Sequence, residues 1–504
     1  MQYVTNGLEH GFNIGYDGTR TNVTSRNLPS ASQHTDFVST HLADRCRRGE
    51  TAGPYPSPPF LTMRLSGIGA VPKKGNKLRL IHHLSSPHGD SVNDHIQRTF
   101  VNLQYITVDD AIHAILRSGR GTYLSKVDIK NAFRICPVRR EDWPLLGIQW
   151  KNEYYFEMVL PFGLSSSPAI FDSVASCIEW ILCHEFSIPV LLHYLDDFLC
   201  VSGGSAHLAR LQLDIILAAM EYLGVPLATD KIVGPAQVLT FLGIILDTIA
   251  MEARLPDDKV AFLREGLQRL LSSSYTTVGD FESFLGKLSF ASRVVVPGRT
   301  FMRRLWDALG RFRHAKPYFR IKLSEDCRQD LLWWQRLLQH WNGKSFFLNA
   351  SLTNATDMGL FTDASGSGWG AFYGAQNRWI SGSWSDEEAK HSIEYKELFA
   401  LVAACRTWGH NWPRERIRIH CDNQAVVDCV RSGTSRAPPV MHLLRTLFWV
   451  CALLNFNISV VHVAGISNPI ADALSRSRVQ EFRRLAPQAR HSPDTLPPLP
   501  STML

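Results

Sequence analysis

The segment VLLHYLDDFLCV, residues 190 to 201, sets two adjacent carboxylates, Asp196 and Asp197, between apolar arms. Such arms around a short polar tip read as a β-hairpin with both acids at its turn. Side-by-side anions repel, and an apolar strand pair makes their burial costly unless a cation neutralises them. Oxygen donors suit a hard divalent ion. The plain alternative is an exposed Asp-Asp turn, since Asp favours turns on its own account. A third acid, Asp128, closes the β-type run in LSKVDIKNAF and shifts the balance. Three acids can hold two magnesium ions, the arrangement that activates an attacking hydroxyl and stabilises a leaving phosphate.

KVDIKNAF, LPFGLSSSPAIFD, YLDDF and FLGIIL follow one another in an order and spacing that resembles the palm motifs of reverse transcriptases. The likeness covers residues 61 to 255 and implies that Asp128, Asp196 and Asp197 are catalytic metal ligands. It places Phe133 at the position where an aromatic ring crowds a ribose 2′-hydroxyl, although a core phenylalanine is the bland reading. Phe162 would lie flat beside the incoming nucleotide, Gly163 would permit close backbone approach, and Pro168 would open a helix. Upstream, VPKKGNKLRLIHHLS resembles the fingers motif that grips triphosphate, with Lys73, Lys74 and Arg79 as phosphate binders, against a basic turn as the alternative. The roles of His82 and His83 stay open, because IHHLSSPHGDSVND departs from the common retroviral pattern. Lys231 in ATDKIVG, and the FLGI strand from Phe241, resemble the later palm motif and the primer grip.

Four further acids lie distally: Asp363 in LFTDASGSGWGA, Glu397 in EYKELFAL, Asp422 in IHCDNQA and Asp472 in NPIADALSR. Together they resemble the ribonuclease H family over residues 358 to 476. The family pattern implies catalytic ligands to two magnesium ions that activate water against an RNA phosphodiester. Glu394 sits one turn before Glu397 and competes for that role. Asn423 is an accessory candidate for substrate hydrogen bonding. His462, ten residues before Asp472, is read either as an accessory catalytic histidine or as the one polar position of the strand VVHVAG. Gly366, Gly368 and Gly370 serve tight packing or turns.

The elements that must position these residues divide the chain. At 504 residues it exceeds one ordinary core and suggests roughly two to four domains. With 45% hydrophobic and 20% charged residues it resembles average globular proteins. The N-terminus lacks a signal-type apolar run, the ten cysteines form no C-x-x-C pair, and no apolar run is long enough to cross a bilayer. An intracellular, reducing setting without membrane contact is expected, in cytoplasm or nucleus. The expected layout is a poorly ordered leader at 1–50, fingers and palm at 51–255, a helical thumb or connection at 256–345, an RNase H-like domain at 356–476, and a basic, proline-rich tail at 477–504. The expected fold class is α/β (α+β): a right-hand polymerase followed by an RNase H-like mixed sheet.

The resemblance therefore implies copying of retroelement RNA into DNA and cleavage of RNA in RNA–DNA hybrids. It requires two Mg2+ ions per site, with Mn2+ able to substitute. Its partners are an RNA template, a DNA primer, the hybrid and dNTPs. RLIHHLSSPHGDSVNDHI, KVDIKNAFRICPV and HYLDDF look most like the tyrosine-recombinase retrotransposons of the DIRS and Ngaro kind. The alternative is a decayed or domesticated element that binds nucleic acid without catalysis, through the cluster Arg299 to Arg320, itself readable as a solvated helix surface. Seven intact acids weigh against decay, which would soon strike one of them.

Overall fold

In the computed structural model, which describes residues 1–73, 77–340, 344–345 and 355–498, the chain divides into two units, Met1–Phe241 and Leu242–Leu504. The expected hairpin forms from Leu191–Tyr194 and Asp197–Ser202, with Tyr194 paired to Asp197 across a two-residue tip. Leu195 in that tip takes φ 52, a left-handed conformation that costs a branched residue energy and is tolerated where surroundings enforce it.

The hairpin belongs to a four-stranded antiparallel sheet ordered Val233–Ala236, Tyr123–Asp128, Asp197–Ser202, Leu191–Tyr194. Phe198 to Ser202 are all buried, as a strand covered on both faces requires. Helix Val108–Ser118 packs on that strand, Ala206–Tyr222 on Tyr123–Asp128, and Ser167–His184 on Leu191–Tyr194. Their starts are set locally: Thr107 and Asp110 form a capping box, Ser205 accepts from the Leu208 amide, and Pro168 stands in the first turn of its helix. A five-stranded sheet and the hairpin Gly67–Lys73 with Lys77–His83 complete the unit.

Residues 1–50, expected as a poorly ordered leader, carry helices Gln2–His10 and Thr35–Arg47. Phe12 and Ile14 enter the main core, and Val38 and Leu42 a smaller one. Their apolar residues are too sparse to make a core alone but sufficient to complete cores built by the following chain.

In the second unit, helices Asp257–Ser272, Val278–Ala291, Arg303–Gly310 and Glu325–His340 match the expected helical region. A mixed sheet follows in the order Arg378–Ser383, Gly368–Tyr373, Thr356–Ala364, Arg416–Cys421, Asn457–His462. Its first three strands pair antiparallel and the last two join in parallel. The basic, proline-rich tail is also folded in part. Helix Val479–Leu485 buries Phe482 against Phe372 and Trp379, and Asp494 receives hydrogen bonds from Arg378 and Trp408. One aromatic anchor and one ion pair suffice, which bulk composition does not register.

Asp330 in helix Glu325–His340 has no exposed surface. It accepts two hydrogen bonds from Arg304, at 2.8 and 2.7 Å, and lies 2.8 Å from Arg445 of helix Pro438–Leu453. The helical region and the mixed-sheet region thus share a buried charge cluster. Asp330→Ala leaves two guanidinium groups facing each other and should cost about 3 to 5 kcal/mol of unfolding free energy, read as a lower denaturant midpoint. A midpoint within error of wild type would contradict it.

Candidate active sites

Antiparallel register sets Asp128 directly opposite Asp197. The Ile129 amide donates to the Asp196 carbonyl at 2.9 Å, drawing the hairpin tip against the end of the neighbouring strand. The three acids therefore converge. Burial, then the repulsion of Asp128, pushes the Asp196 carboxyl up. Burial pushes Asp197 up to about 6, with Lys126 opposing and the two acids adding to the rise. One Asp197 oxygen is buried without a hydrogen-bond partner among the described residues, and Lys126 lies 3.8 Å away. Lys231 donates to both Asp128 oxygens, at 2.7 and 2.8 Å.

A cavity of about 600 Å³ opens on Asp128 and Asp196, lined also by Lys73, Arg79, Phe133, Phe162 and Lys231. Phe133 packs on Phe162 with centroids 5.1 Å apart, and the Arg79 guanidinium lies 5.0 Å from the Phe162 ring centre. Cations and flat rings around a carboxylate pair suit a phosphorylated, aromatic-bearing small molecule. Gly163 takes φ 118, and a Cβ there would meet the His82 carbonyl oxygen at 2.0 Å, so close backbone approach is required. Lys74 lies outside the described residues.

His82, whose role the sequence leaves open, is buried, with Nε2 3.2 Å from the Gly147 carbonyl, and burial depresses its pKa to about 4. It is a neutral structural residue at ordinary pH. Lys126 was missed, although its alternation with Asp128 along one strand puts both on one face. His193, three residues before Asp196, was also missed. Burial opposes its charge, but hydrogen bonds to Asp172 and Glu179 outweigh this and raise it to about 9.

The second group assembles from four elements: Asp363 on strand Thr356–Ala364, Glu397 on helix Ile393–Trp408, Asp422 just after strand Arg416–Cys421, and Asp472 on helix Pro469–Ser475. Asp363 and Glu397 are 3% and 4% exposed. Each has one buried oxygen without a hydrogen-bond partner among the described residues. Burial first, then Asp422 and Asp472, pushes Asp363 up to about 7; burial, then Asp363 and Asp422, pushes Glu397 up to about 9. Glu397, Cys421 and Asp422 present ligand atoms within 4.8 Å of one another. Burial holds the Cys421 thiol up to about 12, so oxygen donors dominate. Unpartnered oxygens in mutually repelling carboxylates fit a hard divalent cation at both sites.

Glu394 points elsewhere and receives the Cys429 thiol at 3.1 Å. Asn423 caps helix Gln424–Ser432, accepting from the Val426 amide, which leaves its amide nitrogen as the group for any outside partner. His462 ends strand Asn457–His462, exposed, with Nε2 3.1 Å from the Asp422 carbonyl, beside the acids. A Cβ at Gly370 would strike Leu474, and one at Gly368 the Gly382 carbonyl. Both glycines serve close packing. Arg476 donates to Asp472 at 2.6 Å, one helical turn on, a partner legible in ADALSR.

Residues 71–246 match the model described as "Reverse transcriptase (RNA-dependent DNA polymerase)", and residues 354–448 that described as "RNase H-like domain found in reverse transcriptase". The chain carries a reverse-transcriptase domain followed by an RNase H-like domain. It is 22% identical, over 95% of its length and 41% of the relative's, to the retrovirus-related Pol polyprotein from transposon 297 of Drosophila melanogaster. It is 21% identical to the enzymatic polyprotein of Cestrum yellow leaf curling virus, over 90% of this chain and 68% of the other. Thus it spans about two fifths of the transposon polyprotein. The fold is similar to a foamy viral protease–reverse transcriptase in complex with double-stranded DNA, with TM-score 0.54 and 17% identity, over 90% of this chain and 74% of that one. Reverse-transcriptase and RNase H-like domains in general depend on divalent metal.

The raised carboxyls of the RNase H-like domain set a pH dependence. Folded pKa values of about 7 for Asp363 and about 9 for Glu397, against 3.8 and 4.5 ordinarily, mean that the folded protein holds protons more tightly. Metal-free stability then falls as pH rises from the ordinary carboxylate range through those values. A bound divalent cation favours the ionised acids, so its stabilisation should grow with pH. Melting temperatures in chelator and in magnesium, at about pH 6 and about pH 8.5, check this. Equal magnesium-induced shifts at both pH values would defeat it.

Proposed function

We propose that this chain is an RNA-directed DNA polymerase with ribonuclease H activity, acting on a retroelement RNA template, a DNA primer and dNTPs, and cutting RNA in the resulting hybrid. The observation that carries this reading is the presence of two separate carboxylate clusters, each gathered from distant sequence positions, the first inside matched residues 71–246 and the second with three of its four acids inside matched residues 354–448. Retained acids at both sites favour it over a decayed, purely binding protein. A foamy viral protease–reverse transcriptase of similar fold is described in complex with RNA/DNA hybrid, which agrees with the expected substrate.

In the polymerase site, Asp128, Asp196 and Asp197 would hold Mg2+, with Mn2+ able to substitute; when bound, the metal makes the primer hydroxyl more acidic and neutralises the leaving phosphates. Lys73 and Arg79 hold the triphosphate, Lys231 balances the charge of Asp128, and Phe133 and Phe162 form the surface for sugar and base. In the distal site, Asp363, Glu397, Asp422 and Asp472 would hold the metal, which would supply an activated water against an RNA phosphodiester, with His462 and Asn423 as accessory residues. We assign fingers and palm to 51–255 together with the folded N-terminal segment, thumb or connection to 256–345, and the nuclease to 356–476 with the tail docked on it. The motif wording supports a tyrosine-recombinase element of the DIRS or Ngaro kind, working inside cells.

Asp196→Asn should lower primer extension by about two orders of magnitude or more while sparing RNA cleavage in a hybrid, and Asp363→Asn should do the reverse. Loss of both activities from either change would refute independent sites. Phe133→Ala should admit ribonucleotides more readily, and unchanged discrimination in a misincorporation assay would reject the gate assignment.

A further inference from the structure

Phe133 stands in the short helical turn Ala132–Ile135, and the next residue, Arg134, turns inward to Glu157. Its guanidinium donates to both Glu157 oxygens, at 2.6 and 3.2 Å. Glu157 is fully buried and also accepts from Arg45 at 3.0 Å and Thr51 at 2.8 Å. Burial alone would push this carboxyl up, but Arg134 and Arg45 outweigh it and hold it at about 2. Arg134, the residue next to Phe133 in the chain, is thus fixed to a fully engaged carboxylate, with Glu50 also 3.9 Å from its guanidinium.

The chain just after this turn, Cys136 to Arg139, is held by backbone on both sides. The Phe12 amide donates to the Pro137 carbonyl at 2.8 Å, and the Arg139 amide to the Phe12 carbonyl at 3.1 Å. On the other side, the Val138 amide bonds Met158 and the Leu160 amide bonds Cys136. Phe12, Arg45 and Thr51 all precede residue 71, where the match to the reverse-transcriptase model begins.

A buried ion triad is a poor device for stability alone, because well-packed apolar groups of similar volume often serve as well or better. What it fixes is geometry: a forked guanidinium on a carboxylate specifies both distance and plane. Steric exclusion of one hydroxyl needs such control, since misplacement by about 1 Å is enough to change rates at an active site.

We infer that residues 1–51 are part of the sugar-selecting apparatus of the polymerase site, with Arg45, Thr51 and Glu157 acting as positioning residues that hold Arg134, and through it the Phe133 ring, against the nucleotide sugar. This rests on the reading of Phe133 as the gate. Arg45 and Thr51, the outer half of the brace, lie outside the matched residues 71–246, so selectivity for deoxynucleotides depends in part on a segment that carries no catalytic group.

The test uses the full chain on a primed RNA template, comparing kcat/KM for a dNTP with that for the matching rNTP. Glu157→Gln should lower the dNTP-to-rNTP ratio about ten-fold, chiefly through a lower KM for the ribonucleotide, and Arg45→Lys should keep most of the selectivity. Thr51→Val, which removes a single hydrogen bond, should shift the ratio about two- to three-fold in the same direction and stands in if Glu157→Gln does not fold. RNA cleavage by the distal site and the melting temperature report folding. Since the brace acts through Phe133, Glu157→Gln should lower the ratio no further in a Phe133→Ala background. A reduced melting temperature with unchanged ratios in Glu157→Gln and Thr51→Val would overturn the inference, as would additive effects in the double variant. An unchanged ratio in Phe133→Ala sinks the gate itself and the proposed route with it, whereas a changed ratio there with flat Glu157→Gln and Thr51→Val sinks only the brace.

Discussion

Like charges forced together in a low-dielectric setting are the constraint on which both sites depend. Seven carboxylates are brought into two groups by strand register, a hairpin tip and helix ends, and several are too buried for water to relieve their repulsion. The raised carboxyls of Asp197, Asp363 and Glu397 express that tension. Repulsion of this kind among buried oxygen donors fits a hard divalent cation.

The scaffolds meet this load in different ways. In the polymerase site two lysines on adjacent elements, Lys126 and Lys231, lie against Asp197 and Asp128, so part of the charge is balanced by the protein itself. In the RNase H-like domain Arg476 bonds Asp472, while Asp363 and Glu397, like Asp197, each keep one buried oxygen with no hydrogen-bond partner among the described residues.

Much of this was legible in sequence because the decisive information is local. A strand ending in Asp128, an Asp-Asp tip between apolar arms, and a helix carrying Glu397 each follow from alternation, turn chemistry and helical period. In the fold Glu397 lies beside Asp363, while Glu394, one turn earlier, receives the Cys429 thiol. Long-range pairing was not legible. Arg45 meets Glu157 across 112 positions and Arg378 meets Asp494 across 116, and neither residue looks unusual in its own window. For the same reason the leader and tail read as unstructured: their few apolar residues, Phe12 and Phe482 among them, are meaningful only against surfaces made elsewhere.

This contrast bears on how selectivity can change while chemistry stays fixed. Metal-binding acids tolerate little substitution, because each removal leaves the others with an incomplete cation shell. A buried fork such as Arg134 on Glu157 can be retuned by its outer partners, Arg45 and Thr51, without touching a ligand. On the proposed reading, residues that influence what enters the first carboxylate site extend into the N-terminal segment. Asp128, Asp196 and Asp197, by contrast, lie at the end of one central strand of the sheet, at the hairpin tip and at the start of the other central strand.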